Sequence, residues 1–258
     1  MFRKLRIAIL LYILAFAAVG NYLAAARSTD WNNTLWIDVY PINADDSERT
    51  QAYIDGLDEA DFASIENYFA REARRYGVSL ETPFRLKLAG QVEEPIPVLP
   101  STAGLLDTAI WSLKMRWYGV KVKRASDRPS PDIQLFALYH DDSDVQVLDR
   151  STALERGLIA VANVFAGRAS AGSNQVVMAH ELLHTLGATD KYAIGTNLPL
   201  YPHGFADPTA EPRYPQHKAE LMAGRIPLDV QTAATPRDLG RTVIGPITAT
   251  EIGWLPVK

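Results

Sequence analysis

The sequence predicts a mixed α/β (α+β) protein built on a mixed sheet, and three observations carry that expectation. Short apolar runs that read as strands alternate with longer stretches of helical spacing between residues 34 and 190. Of the 258 residues, 47% are apolar, ample for one large core. Beyond Asp190 the periodicity is lost, and Gly195 to Pro227 carries six prolines, so the C-terminal part reads as irregular.

Taken in order, Thr34 to Tyr40 (TLWIDVY) reads as the first strand. Ser47 is a plausible N-cap for a helical region running to about Tyr76, with a break near Gly56–Asp58 and Gly77 as its stop. Ile54, Leu57, Ile65, Tyr68 and Phe69 form its apolar face. Phe84 to Leu88 is a second strand, and the Pro-rich Gln91 to Pro100 a loop. Thr102 to Trp117 has helical spacing, with Trp111, Met115 and Trp117 expected in the core. Lys121-Val122-Lys123-Arg124 alternates as a solvated strand face would. Asp132 to Tyr139 and Gly157 to Phe165 are apolar strands, and the half-polar Val145 to Arg150 reads as an edge strand. The acids of the turn His140 to Asp144 could hold a structural calcium, though a solvated loop suffices to explain them. Ser173 is the expected N-cap of a helix with body Asn174 to Leu186, and a short helix near Thr248 to Trp254 closes the chain.

The N-terminus sets the compartment. Arg3, Lys4 and Arg6 precede twenty residues without a charge, Ile7 to Ala26, ending in small residues. This is the layout of a secretory signal peptide, and the run is also about long enough to be a retained membrane anchor. Residues 1–26 are therefore a leader or anchor, 27–33 a spacer, and 34–258 one exported domain: periplasmic, secreted or tethered outside the cytoplasm. The chain has no cysteine, which excludes a disulfide framework and thiolate ligands. A net charge of −4 speaks against a nucleic-acid partner.

Chemistry concentrates in residues 180–190, HELLHTLGATD. On a helix, His180 and His184 lie one turn apart on one face and can point at one ion. Glu181 sits about 100° further round, close enough to serve as general base toward a metal-activated water. Gly187 can take a left-handed conformation and turn the chain back, bringing Asp190 to the histidine side. Two imidazoles, a carboxylate and an open position suit one catalytic Zn2+. H-E-x-x-H alone arises by accident in on the order of one such chain in 200, so the added glycine and aspartate matter. By spacing, His203 and His217 rival Asp190 as third ligand, and a distant glutamate such as Glu211, Glu220 or Glu251 is a further alternative.

HELLHTLGATD resembles the extended zinc signature of the metzincin metalloproteases, H-E-x-x-H-x-x-G-x-x-H/D, in the aspartate form of small bacterial members. The clan has a methionine turn beneath its zinc, and Glu220-Leu221-Met222-Ala223-Gly224-Arg225 matches that position, Met222 being the last methionine of the chain. The resemblance implies a metzincin-like catalytic domain with a cleft between the sheet and the irregular C-terminal segment. It also implies a zinc-dependent endopeptidase acting on protein or peptide substrates, with Glu181 as general base and His180, His184 and Asp190 as metal ligands. An extended substrate is expected to pair with the edge strand Val145–Arg150. The bland rival is an exported zinc-binding module that turns over nothing.

Overall fold

The computed structural model describes residues 27–92, 94–99, 104–125, 128–143, 151–154 and 158–256, together with Arg6 and Tyr12. The leader or anchor (residues 1–26, save Arg6 and Tyr12), Asp144 and the edge strand expected over Val145–Arg150 lie outside the described residues.

A five-stranded sheet forms the frame: β1 (Leu35–Asn43), β2 (Phe84–Leu88), β3 (Ile133–His140), β4 (Thr152–Leu154) and β5 (Ile159–Phe165), in spatial order β2-β1-β3-β5-β4. The first four of these neighbours pair in parallel and only β4 is antiparallel, so the sheet is mixed, as expected. Parallel strands need crossovers, and among the described residues helices supply those from β1 to β2 and from β2 to β3, while the connection from β3 to β5 carries β4. Between β1 and β2 run α1 (Glu48–Asp55) and α2 (Ala63–Arg75), between β2 and β3 runs α3 (Leu105–Ala125), and α4 (Ala171–Thr185) follows β5. The expected break after α1 is there: Ser47 caps α1 by accepting from the Thr50 amide, and Asp58 caps a separate short turn at residues 59–62. Gly77, at φ +77°, ends α2.

The two sheet faces carry different layers. Ile37, Val39, Leu135, Tyr139, Ala160 and Val164 face α2 and α4 in the main core. Tyr40, Ile42, Phe136, Ile159 and Val161 face α3, which contributes Trp111, Met115, Tyr118 and Val122. Alternation along each strand thus serves both faces, because both are covered.

Several expectations need correction here. Lys121-Val122-Lys123-Arg124 is the last turn of α3, not a strand; alternation over four residues cannot be told from helix when Val122 alone of the four turns inward. Trp117 is 67% exposed, on the opposite side of α3 from buried Trp111 and Met115. The helix α4 starts at Ala171, two residues before the expected cap; Ser173 donates from Oγ to the Ser170 carbonyl at 2.9 Å. Asp141 and Asp142, proposed for calcium, face Arg49 at 3.3 and 2.9 Å, so a guanidinium already balances those acids.

The chain after Asp190 is irregular apart from two-residue pairings: β6 (Ala219–Glu220) with β9 (Thr242–Val243), and β7 (Ile226–Pro227) with β8 (Ala233–Ala234). The closing helix α5 spans Pro246–Glu251, with proline in its first turn, where its missing N–H costs nothing.

Candidate metal centre

The helix α4 is anchored before it reaches the site. The Asn174 amide clamps the end of β5, accepting from the Phe165 N–H at 3.0 Å and donating to its carbonyl at 2.8 Å. Val176, Met178, Ala179, Leu182 and Leu183 then bury one side of the helix in the main core. What is left faces a cleft of about 740 Å³, which is lined by His180, Glu181, His184 and Asp190, by Ala153 of β4 and by Ala223 of the C-terminal segment. The cleft therefore lies between the sheet edge and the irregular segment, as expected.

The structure brings all four sequence-predicted residues together. His180 and His184 stand with ring centroids 4.7 Å apart, and ligand atoms of His180, Glu181 and His184 lie within 4.8 Å of one another. Gly187, at φ +95°, reverses the chain after α4. That reversal places Asp190 Oδ1 at 3.1 Å from His180 Nε2 and 3.0 Å from His184 Nε2. Glu181 is only 4% exposed.

The other ring nitrogens decide what the site is made for. His180 Nδ1 faces the Leu221 carbonyl at 2.9 Å, and His184 Nδ1 faces the Ala188 carbonyl at 2.7 Å. A carbonyl only accepts, so the network assigns a proton to each Nδ1. In the neutral rings, both Nε2 lone pairs then point at one carboxylate oxygen, which is repulsive unless positive charge lies between them. Either protons or a metal ion can provide it. Three ligand atoms held about 2.0–2.1 Å from a tetrahedral zinc sit about 3.3 Å apart, close to the spacings here. The donor set fits a zinc ion, and the two carbonyls are the outer partners that ligating histidines use to fix tautomer and orientation.

The electrostatics agree. Burial raises the Asp190 carboxyl's pKa, but hydrogen bonds from both imidazoles outweigh it and hold the carboxyl well below the usual range. For His180, burial disfavours the charged ring, yet Asp190, Glu181 and the Leu221 carbonyl together push its pKa up. The pattern suits a cation: His180 is drawn toward its charged form and Asp190 is held ionised beside it.

The remaining sequence candidates lie elsewhere. His203, Glu211 and His217 are exposed and none of them lines the cleft. Glu220 is fully buried and accepts from the Ala223 and Gly245 amides at 3.1 and 3.0 Å and from Thr248 Oγ1 at 2.7 Å. Glu251 binds Thr189 Oγ1 and Lys191 Nζ, each at 2.7 Å. Both glutamates thus brace the site's surroundings.

Spacing alone missed these braces. Lys191 is buried against Glu251, and its amide donates to the Met222 carbonyl at 2.9 Å, so the residues on either side of Asp190 are tied down. Leu221 to Ala223 form a short 3-10 turn ended by Gly224 at φ +68°. Its Leu221 carbonyl holds His180, while the buried Met222 side chain joins the core. No local signal points to Glu251 or to the Leu221 carbonyl, since the His180–Leu221 contact spans 41 residues and the Lys191–Glu251 contact 60. The Ala188 carbonyl follows from the turn that Gly187 permits. Comparison with protein-family models and with curated proteins found no match for this chain.

Proposed function

We propose that the protein is a zinc-dependent endopeptidase of metzincin type, exported with residues 1–26 as leader or anchor. The observation that carries the reading is the convergence of His180 Nε2, His184 Nε2 and Asp190 Oδ1 beside buried Glu181 in one open cleft. The resemblance of HELLHTLGATD to the metzincin signature supports it, as does the Met222 turn packed behind the histidines. His180, His184 and Asp190 hold the ion. When bound, zinc supplies Lewis acidity and draws the pKa of a water from 15.7 toward ~7.

The protein's own residues do the rest. Glu181 accepts the proton of the water as its oxygen attacks the scissile carbonyl carbon, then passes that proton to the departing amine nitrogen. Low exposure keeps the carboxylate from being levelled by bulk water. The strand β4 ends the described sheet, and Ser151 and Ala153 border the cleft, so an extended peptide can add its main chain there. A carboxylate ligand leaves the site less positive than three imidazoles, which moderates its Lewis acidity.

Hydrolysis of casein or of a quenched peptide library by the purified protein tests the reading. Glu181→Gln should lose at least ~100-fold in kcat, at the low end of what general acid–base catalysis contributes, while retaining its zinc. A zinc-loaded wild-type protein that cleaves neither substrate would instead make this a zinc-binding module.

A further inference from the structure

The helix α3 has two apolar faces, and the sheet covers only one. Trp111, Met115, Tyr118 and Val122 are buried. Leu106, Ile110, Leu113, Trp117 and Val120 are 44–74% exposed. At about 100° per residue these five form a single stripe roughly opposite the buried face. The basic residues are not scattered. On the same angular count Lys114 and Lys121 flank the stripe on one side, Arg116 and Lys123 on the other, and Arg124 extends it at the C-terminal end. The helix carries five basic residues and one acid in a chain of net charge −4.

We infer that this face of α3 docks the domain on an anionic phospholipid surface. An apolar stripe with a tryptophan, flanked by long basic side chains, is the pattern of helices that lie in the membrane interface. There the apolar residues enter the acyl boundary while exposed Lys114 and Arg124 reach the headgroups; Lys121 Nζ already pairs with Glu94 at 2.6 Å and Lys123 Nζ with the Pro131 carbonyl. The helix is too polar to cross: among the described residues no helix is long and apolar enough to span a membrane. A second copy of the chain would cover the apolar residues, but nothing in that arrangement calls for basic residues on both flanks, where they would face one another.

The position of the chain entry supports a lipid surface independently. Arg27, which directly follows the apolar run Ile7–Ala26, pairs with Asp132 at 3.4 Å. The segment just before Asp132 is tied to the last turn of α3, where Lys123 Nζ donates to the Pro131 carbonyl at 3.2 Å. The most lipophilic stretch of the sequence thus joins the domain beside the basic end of α3.

The absence of cysteine makes the test direct. In the full chain, Leu113→Cys gives a single site for an environment-sensitive fluorophore, and Val230→Cys, on an exposed residue of the C-terminal segment, is the control. Each labelled protein is reconstituted into phosphatidylcholine vesicles with and without phosphatidylglycerol. The label at residue 113 should shift to the blue and be quenched by lipid-borne quenchers in the anionic vesicles, while the label at 230 stays aqueous. Lys114→Glu with Arg124→Glu should weaken docking at least about tenfold, since each basic residue near such a surface contributes on the order of tenfold or slightly less. A label at 113 as wet as the control in anionic vesicles overturns the inference. So does a blue shift that follows protein concentration in detergent and ignores lipid charge, which would assign the stripe to a second copy.

Discussion

Asp190 is the residue on which the site's charge turns. Its Oδ1 lies within 3.1 Å of both imidazole Nε2 atoms, and no other described carboxylate shares that position. Losing an outer-shell partner typically costs 10–100-fold in metal affinity, so losing a ligand should cost more. Asp190→Ala is therefore expected to weaken zinc binding by at least ~100-fold in competition with a chromogenic chelator. Exposed His203 and His217 can each be replaced by alanine without change. Wild-type affinity in Asp190→Ala would remove Asp190 from the ligand set. Thr189→Ala makes a milder probe, because it removes one of the bonds through which Glu251 steadies the loop and leaves the three ligand atoms in place.

At the level of elements, the turn after β6 joins the candidate metal centre to the C-terminal helix, and Glu220 is its pin. The carboxylate accepts three hydrogen bonds, from Ala223, Gly245 and Thr248, in a site from which water is excluded. Glutamine cannot copy this, because one oxygen becomes an N–H donor turned toward a donor. Glu220→Gln should lower stability by about 1–3 kcal/mol in chemical denaturation. It should also loosen His180, whose Nδ1 partner is the adjacent Leu221 carbonyl. Met222→Leu nearly conserves volume and should cost under ~1.5 kcal/mol, whereas Met222→Asp buries an unpaired charge and should abolish folding or metal binding. A soluble, zinc-binding Met222→Asp variant would falsify the packing role of that turn.

Elements with strong local signals were legible from the sequence for physical reasons. Ser47 announces a helix start through its side-chain cap, Gly56–Asp58 mark the break that follows, and Phe84–Leu88 stands between turn-formers. The spacing of His180, His184, Gly187 and Asp190 implied their convergence because a helix and one glycine turn fix it almost alone. Where tertiary contacts decide, the signal was weak. Trp117 has the same chemistry as Trp111 and differs only in which side of α3 meets the sheet. The two-residue strands β6 to β9 are too short for any period, and Glu220 and Glu251 act through contacts formed only when α5 docks.

At the scale of the whole molecule, the metal-free and zinc-loaded proteins should respond to pH in opposite directions. Without a metal, the ionised Asp190 beside it favours the protonated form of His180. His180 has a folded pKa raised above its usual value of about 6.5, so its contribution is fully present below that pH and is lost as pH rises through the folded value. Glu220 acts with the same sign in its own range, because burial raises its pKa too, and stability is lost as pH rises through that value. Asp190 is opposite: its carboxyl is held low, so its contribution is present above the usual carboxylate range and is lost only in strong acid. In mildly acidic solution, between about pH 4 and 6.5, ionised Asp190 and protonated His180 therefore coexist, and the metal-free protein gains most there. Zinc requires both imidazoles deprotonated, so its affinity rises across the histidine range. At a thousandfold excess over its Kd, zinc adds about 4 kcal/mol to the folded state. Denaturation midpoints measured from pH 5.5 to 8 should thus fall with pH in the presence of a chelator and hold or rise with saturating zinc. His180→Gln should flatten the chelator curve, since it removes the raised imidazole. Two curves that ran parallel through this range would mean that the ion, if bound, does not displace a proton from His180, and the centre would have to be sought elsewhere.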